Sequence, residues 1–449
     1  MFAVVLMRKC RARLGDLWWY TLLLFVAQRV GDVINMFVGL WLVPKYVPQS
    51  ELGAVLPLSQ FVSFIGIPLA IVAIPFMKFL NVYAERGEMG KVKSLLRDIF
   101  WGTGALAFVT LVFAWAVMPF IFTRLRVAVG SLGFLVVAVS ILGAVSGIFQ
   151  NAVQGLKFFS VTVWFNVLGA PLRLVLMLCT MPFRALSGYF VGQSAGPIVT
   201  VVLSLVALRK KLGRTVVAKP YWREDRVAIL RYTWPIALWT VATIFFVSVD
   251  QLVIRHRLSD FDSAGYYVIS RFAEMAYYLG NAFVVFLFPL VAAGKRAGAA
   301  RRILLQSVWG TLAGGALVSL ALLFGGRVLL GLSPLWRPYQ PFAVEMVVLA
   351  VYNTIGIVCN CFVTYEMAQG RFRFLAYSLP LFAVKAVVLY AVTGFSFFTG
   401  LVPQPWLDAL AAFNPNRLGY VLAFFLAFSL VHLTLLCVDV LRHRSNDFH

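Results

Sequence analysis

Gln154-Gly155-Leu156-Lys157-Phe158-Phe159 and Gln369-Gly370-Arg371-Phe372-Arg373-Phe374 stand 215 positions apart and read almost alike. Each closes a long apolar run with a basic, aromatic knot, and each precedes a further apolar run holding a lone cation, Arg173 or Lys385. Trp101-Gly102-Thr103 and Trp309-Gly310-Thr311 recur in the same way at the heads of matching runs. Near-constant offsets with small insertions are what a duplication leaves, so the chain reads as two related halves.

The composition places those halves in a bilayer. Of 449 residues, 61% are hydrophobic and 12% charged, with a mean hydropathy of +0.89, too little polar surface to cover a soluble globule. About 20 apolar residues cross the hydrocarbon as a helix. Runs of that order fall near 18–43, 53–80, 98–122, 129–153, 160–182, 186–208, 231–254, 264–292, 305–331, 342–366, 374–398 and 416–439. None sustains the apolar/polar alternation of barrel strands, so helices that satisfy their own backbone are the expected spanning structure. The fold class is therefore an all-α integral membrane protein of about twelve transmembrane helices. Six spans per half is an even number, so the second half enters from the same side as the first. The two six-helix lobes, 1–208 and 231–449, should be related by a pseudo-two-fold along the membrane normal.

The net charge of +22 would suggest nucleic acid in a soluble chain; here it reports topology, and no nucleic acid partner is expected. With the N-terminus inside, the inner segments hold 25 Lys and Arg and the outer loops 9. That asymmetry predicts a multi-pass protein of the cytoplasmic (inner) membrane with both termini cytoplasmic. The basic stretch 209–230, RKKLGRTVVAKPYWREDRVAIL, reads as a cytoplasmic linker lying along anionic headgroups. Apolar residues precede the first basic cluster, the wrong order for a cleaved signal, so the first span is expected to remain as an anchor. Five cysteines show no metal-ligand spacing, and neither metal nor cofactor is expected. The outer loops are short, which leaves no room for catalytic machinery, so an enzyme is not expected.

Several features of the spans are packing signals. Gly188, Gly192 and Gly196 form a GxxxGxxxG ladder that admits a close helix backbone. Pro75 and Pro289 occupy matching places in the repeat, where a bend could be a hinge or a static kink. Glycine in each Gln-Gly knot permits a tight turn between spans.

Ionisable residues inside spans are costly and normally face a bundle interior or a wet cavity. In span one, Gln28, Asp32 and Asn35 share a stripe at i, i+4, i+7, with Arg29 three residues from Asp32. In span eight, Tyr267, Arg271, Glu274 and Tyr278 form another stripe, and span seven adds Asp250 and Gln251 before Arg255. Two readings compete. Arg29 with Asp32 and Arg271 with Glu274 can be neutral pairs that fasten helices; together with Arg173 and Lys385 they can instead line a cavity for a phosphate-bearing substrate, since Arg binds phosphate through a bidentate fork and Lys as a point charge. For Arg173 and Lys385 the competing reading is snorkelling to the headgroups. Asp32, Asp250 and Glu274 are the ion-coupling candidates, able to load and release H+ or coordinate Na+ as access alternates.

Phe246-Val247-Ser248-Val249-Asp250-Gln251, Ser263-Ala264-Gly265-Tyr266-Tyr267 and Ser270-Arg271-Phe272 resemble the polysaccharide transporter (O-antigen flippase) branch of the multidrug/oligosaccharidyl-lipid/polysaccharide (MOP) exporter superfamily. Gly147–Phe158 is similar to the fourth span of that family. The resemblance implies a V-shaped pair of lobes that flips a polyprenyl-diphosphate-linked oligosaccharide by alternating access. By position, Arg29, Asp32 and Arg271 look like the cavity residues of such flippases; with the isolated cations of the two halves, the expected substrate site is Arg29, Arg271, Arg173 and Lys385, with Tyr267 and Tyr278 beside them. The expected partners are that lipid-linked glycan, membrane lipids and glycan polymerase or export machinery, with the transporter itself a monomer. The lipid II flippase relatives are similar but usually carry two further spans, and Ser59 stands where the repeat would place a first-lobe counterpart of Arg271. A multidrug/cation antiporter of the same superfamily is the competing reading; it would favour an acidic or aromatic cavity.

Overall fold

The computed structural model describes residues 26–126, 130–156, 158–212, 226–293, 297–392 and 418–446. They form twelve helical runs: α1 (Val26–Tyr46), α2 (Val55–Glu85), α3 (Met89–Arg124), α4 (Gly130–Gly155), α5 (Phe159–Gln193), α6 (Ala195–Leu212), α7 (Arg226–Arg257), α8 (Asp260–Ala293), α9 (Ala297–Gly331), α10 (Ala343–Ala368), α11 (Leu375–Val392) and α12 (Leu418–Asn446). The protein is an all-helical membrane protein, and no strand occurs among the described residues. α5 contains a reversal at Ala185 (φ 40°, ψ −114°), so predicted spans five and six meet there, and α6 continues span six beyond Ser194. Among the described residues, eight helical stretches are long and apolar enough to cross a membrane, one of them the paired Ser160–Leu212.

Large apolar side chains face outward. Trp101 and Trp309 are 72% and 68% exposed, Phe183 and Phe324 more so. Such surfaces suit lipid, which has no hydrophobic penalty to impose. Thr103 and Thr311, two residues further along the same repeated tripeptide, are both buried. The repeat is thus one of environment as well as of letters.

The two knots close alike but use their glycines differently. Arg371 N–H donates to Glu366 C=O at 2.9 Å across Gly370 (φ +73°), a helix-ending loop that needs a left-handed residue. Phe158 N–H makes the corresponding bond to Val153 C=O at 2.9 Å. Gly155, however, is still helical, and a Cβ there would lie 2.9 Å from Met77 O. Its expected role as a turn residue gives way to close approach of α4 to α2. Lys157 lies outside the described residues, as do Cys10, the central part of the 209–230 linker and the ends of spans eleven and twelve; the side chains of Pro75 and Pro289 do so too.

Contacts divide the chain into two compact units. One takes the chain up to Val38 together with Leu58–Val241; the other takes Gly39–Pro57 and Ala242 onward. The first break falls inside α1, where Val38–Leu42 is a π-helical turn. Three anchors hold Gly39–Pro57 within the second unit. Trp336 Nε1 donates to Leu40 O at 2.6 Å. Arg255, 1% exposed, donates to Ser50 O at 2.8 Å and to Asp260 Oδ1 at 2.9 Å. Gly53 lies flat on Ser263, where a Cβ would not fit.

Candidate functional site

Within the first unit, small residues create a polar cavity. Gly31 on α1, Gly143 on α4, Gly169 and Ala170 on α5, and Gly196 on α6 leave the space between their helices unfilled. Gly196 therefore lines a pocket, whereas its ladder mates Gly188 and Gly192 pack tightly on Met181 and Met177. The cavity has a volume of about 540 Å3, in the range of small-ligand sites.

Its walls are rich in carboxamides. The predicted α1 stripe of Gln28, Asp32 and Asn35 faces it, joined by Gln150 from α4, Asn166 from α5 and Gln193 near the end of α5. Arg173 Nη1 donates to Gln193 Oε1 at 3.4 Å, and Gln193 Nε2 donates to Tyr189 Oη at 2.7 Å. This relay fixes one wall. On another wall, Asp32 is paired with Arg29 at 3.1 Å, an i, i+3 bridge that leaves the carboxylate at the cavity and its charge partly answered. Ser59 also lines the site.

The second unit holds the other residues singled out by sequence, in two groups. Lys385 on α11 and Asp250 on α7 are 1% and 3% exposed; Nζ donates to Asp250 Oδ2 at 2.7 Å, and Tyr352 Oη donates to the same oxygen at 2.7 Å. Phe425 covers the ammonium, whose Nζ lies 4.7 Å from the ring centre. The expected cavity-lining cation is thus closed onto an acid. The other group is Arg271, bridged to Glu274 at 2.7 Å, with Tyr278 Oη donating to Glu274 Oε2 at 3.4 Å. Arg271 lies over the ring of Tyr267, itself 2% exposed, and packs so closely on Gly39 that a Cβ there would stand 2.6 Å from its Cδ.

Asp32 and Arg173 are therefore brought to one cavity, with Arg29 beside Asp32. Gln150, Asn166, Tyr189 and Gln193 were not anticipated. Their signal was available: uncharged amides inside otherwise apolar runs, less conspicuous than charges but equally in need of partners. Among the described residues, no three His, Cys, Asp or Glu side chains converge to hold a metal ion.

No family model and no curated protein matches the chain. Solved structures do. An inward-facing multidrug resistance MATE family transporter of the MOP superfamily aligns over 92% of this chain and 96% of its own, at 14% identity and a TM-score of 0.65. The fold is that of the MOP transporters. A MATE protein in its straight conformation aligns over 95% of each chain at 15% identity, and the lipid II flippase MurJ, inward closed, over 93% of this chain and 87% of its own at 13% identity, both with TM-scores of 0.60. At such identities these proteins share the MOP fold with this chain. They include a drug transporter and a lipid flippase, and the likeness is one of fold.

Proposed function

We propose that the protein is a membrane transporter that flips a polyprenyl-diphosphate-linked oligosaccharide across the cytoplasmic membrane by alternating access. The observation that carries this reading is the amide-lined cavity. A sugar presents hydroxyls that both donate and accept, and a carboxamide offers both functions from one side chain. Gln28, Asn35, Gln150, Asn166 and Gln193 form a lining suited to such a head group, and Arg173 adds a cation for phosphate or an acidic sugar. The prenyl chain would remain in lipid. The transporter works as a monomer with both ends cytoplasmic, coupled to H+ or Na+, and hands its cargo to glycan-polymerising or export machinery.

The second reading, a multidrug/cation antiporter, is favoured by one observation, Asp32 at the cavity wall. Arg29 at 3.1 Å weakens it, because a cationic drug would have to displace a bound guanidinium. The test is reconstitution into vesicles carrying a fluorescent polyprenyl-diphosphate oligosaccharide. The flippase reading expects translocation that is lost in Asn166→Ala/Gln193→Ala, with no efflux of lipophilic cations. Cation efflux that is lost in Asp32→Asn, without glycan translocation, would establish the antiporter instead.

A further inference from the structure

Each acid that sequence nominated for ion coupling has a cation on it: Asp32 has Arg29, Asp250 has Lys385 and Glu274 has Arg271. Glu366, near the end of α10, does not. Its side chain is 1% exposed, and both carboxylate oxygens are buried without a hydrogen-bond partner, which holds for no other carboxylate among the described residues. An ionised carboxylate enclosed in this way has lost its water and gained no donor, whereas the protonated acid is neutral and can be buried.

The surroundings explain how a proton could come and go. Asp439 on α12 is a second acid acting on Glu366, and Tyr377 on α11 donates its Oη to Asp439 Oδ2 at 3.2 Å. Arg371 and Arg373, in the turn that follows α10, are the cations acting on Glu366. Neither donates to it in this structure, yet the chain folds back so that Arg371 N–H bonds to the Glu366 carbonyl. Engagement of the carboxylate by the Arg371 side chain would supply the missing donor. The two arginines also disfavour a bound metal cation at the same place.

We propose that Glu366 is a proton-binding site of the second unit. In the structure described it carries the proton; when Arg371 engages the carboxylate, the proton is released to water at that end of α10. The site belongs to the second unit and the amide-lined cavity to the first, and its proton occupancy does not depend on which substrate that cavity takes.

Infrared difference spectra of the full protein in lipid vesicles test this directly. A protonated buried carboxyl absorption is expected at mildly acidic pH, absent in Glu366→Gln and retained in Glu345→Gln. Should Glu366→Gln fail to fold, Glu366→Asp should displace the band instead of removing it. Absence of any such band, or a band unaffected by substitution at position 366, overturns the proposal. Loss of the band on adding Na+ at constant pH also overturns it, in favour of a sodium site. Filling the substrate cavity by Gly143→Phe should abolish translocation and leave the band intact, so failure of the transport reading and failure of the proton site are told apart.

Discussion

Lys385 Nζ on α11 and Asp250 Oδ2 on α7 meet at 2.7 Å with both side chains buried, so residues 135 positions apart form a closed ion pair inside one unit. Removing one partner leaves the other charge stranded. Lys385→Met or Asp250→Leu alone should each destabilise the protein by about 3–5 kcal/mol, while the double substitution recovers most of the loss. Thermal unfolding in detergent of the four proteins checks this; single variants as stable as the parent would show that the pair does not support the fold.

Arg255 reaches back to Ser50, and the segment Gly39–Pro57 depends on it. Arg255→Met removes two charge-assisted hydrogen bonds, each contributing about 1.5–3 kcal/mol in general. Hydrogen exchange should rise locally in residues 49–57 while α9 is unaffected. Uniform protection throughout would refute the role of this anchor.

Gly143 lines the cavity, and a Cβ there meets nothing within 4 Å. Gly143→Ala should be tolerated or stabilising by up to about 1 kcal/mol, since glycine weakens a helix interior. Gly143→Phe should fold and lose translocation. Unimpaired flux in Gly143→Phe would place the substrate path elsewhere.

Gly155 and Gly370 occupy the same place in the repeat, yet alanine should harm them for different reasons. Gly370→Ala forces a side chain into left-handed backbone at a cost of about 1–2 kcal/mol. Gly155→Ala instead overpacks α4 on Met77 O, about 1–3 kcal/mol. Met77→Ala cannot relieve the latter, because the obstruction is backbone. Apparent unfolding temperatures of the single and paired variants measure both effects.

The helical membrane architecture was legible because it rests on local quantities. Run length and hydropathy decide whether a segment can cross a bilayer, and the Trp-Gly-Thr repeat marks one exposed and one buried position in each half. The α1 stripe was equally readable, since i, i+4, i+7 spacing fixes a face whatever surrounds it. What that face meets was not. Arg173 and Lys385 look equivalent in the repeat, but Arg173 borders a cavity while Lys385 is shut on Asp250, and the difference lies in side chains from other helices.

Glu366 makes the same point most sharply. In the sequence it is one acid in Thr364-Tyr365-Glu366-Met367, near the end of an apolar run and close to two arginines, with nothing to set it apart. Only the packing of α10 among its neighbours removes water from both oxygens without supplying a donor. Sequence by itself determined the helices and the residues that are costly in a membrane. Tertiary structure decided which of those costs are met by a partner, which open onto a cavity and which remain unmet, because burial and hydrogen bonding depend on atoms brought together from distant parts of the chain.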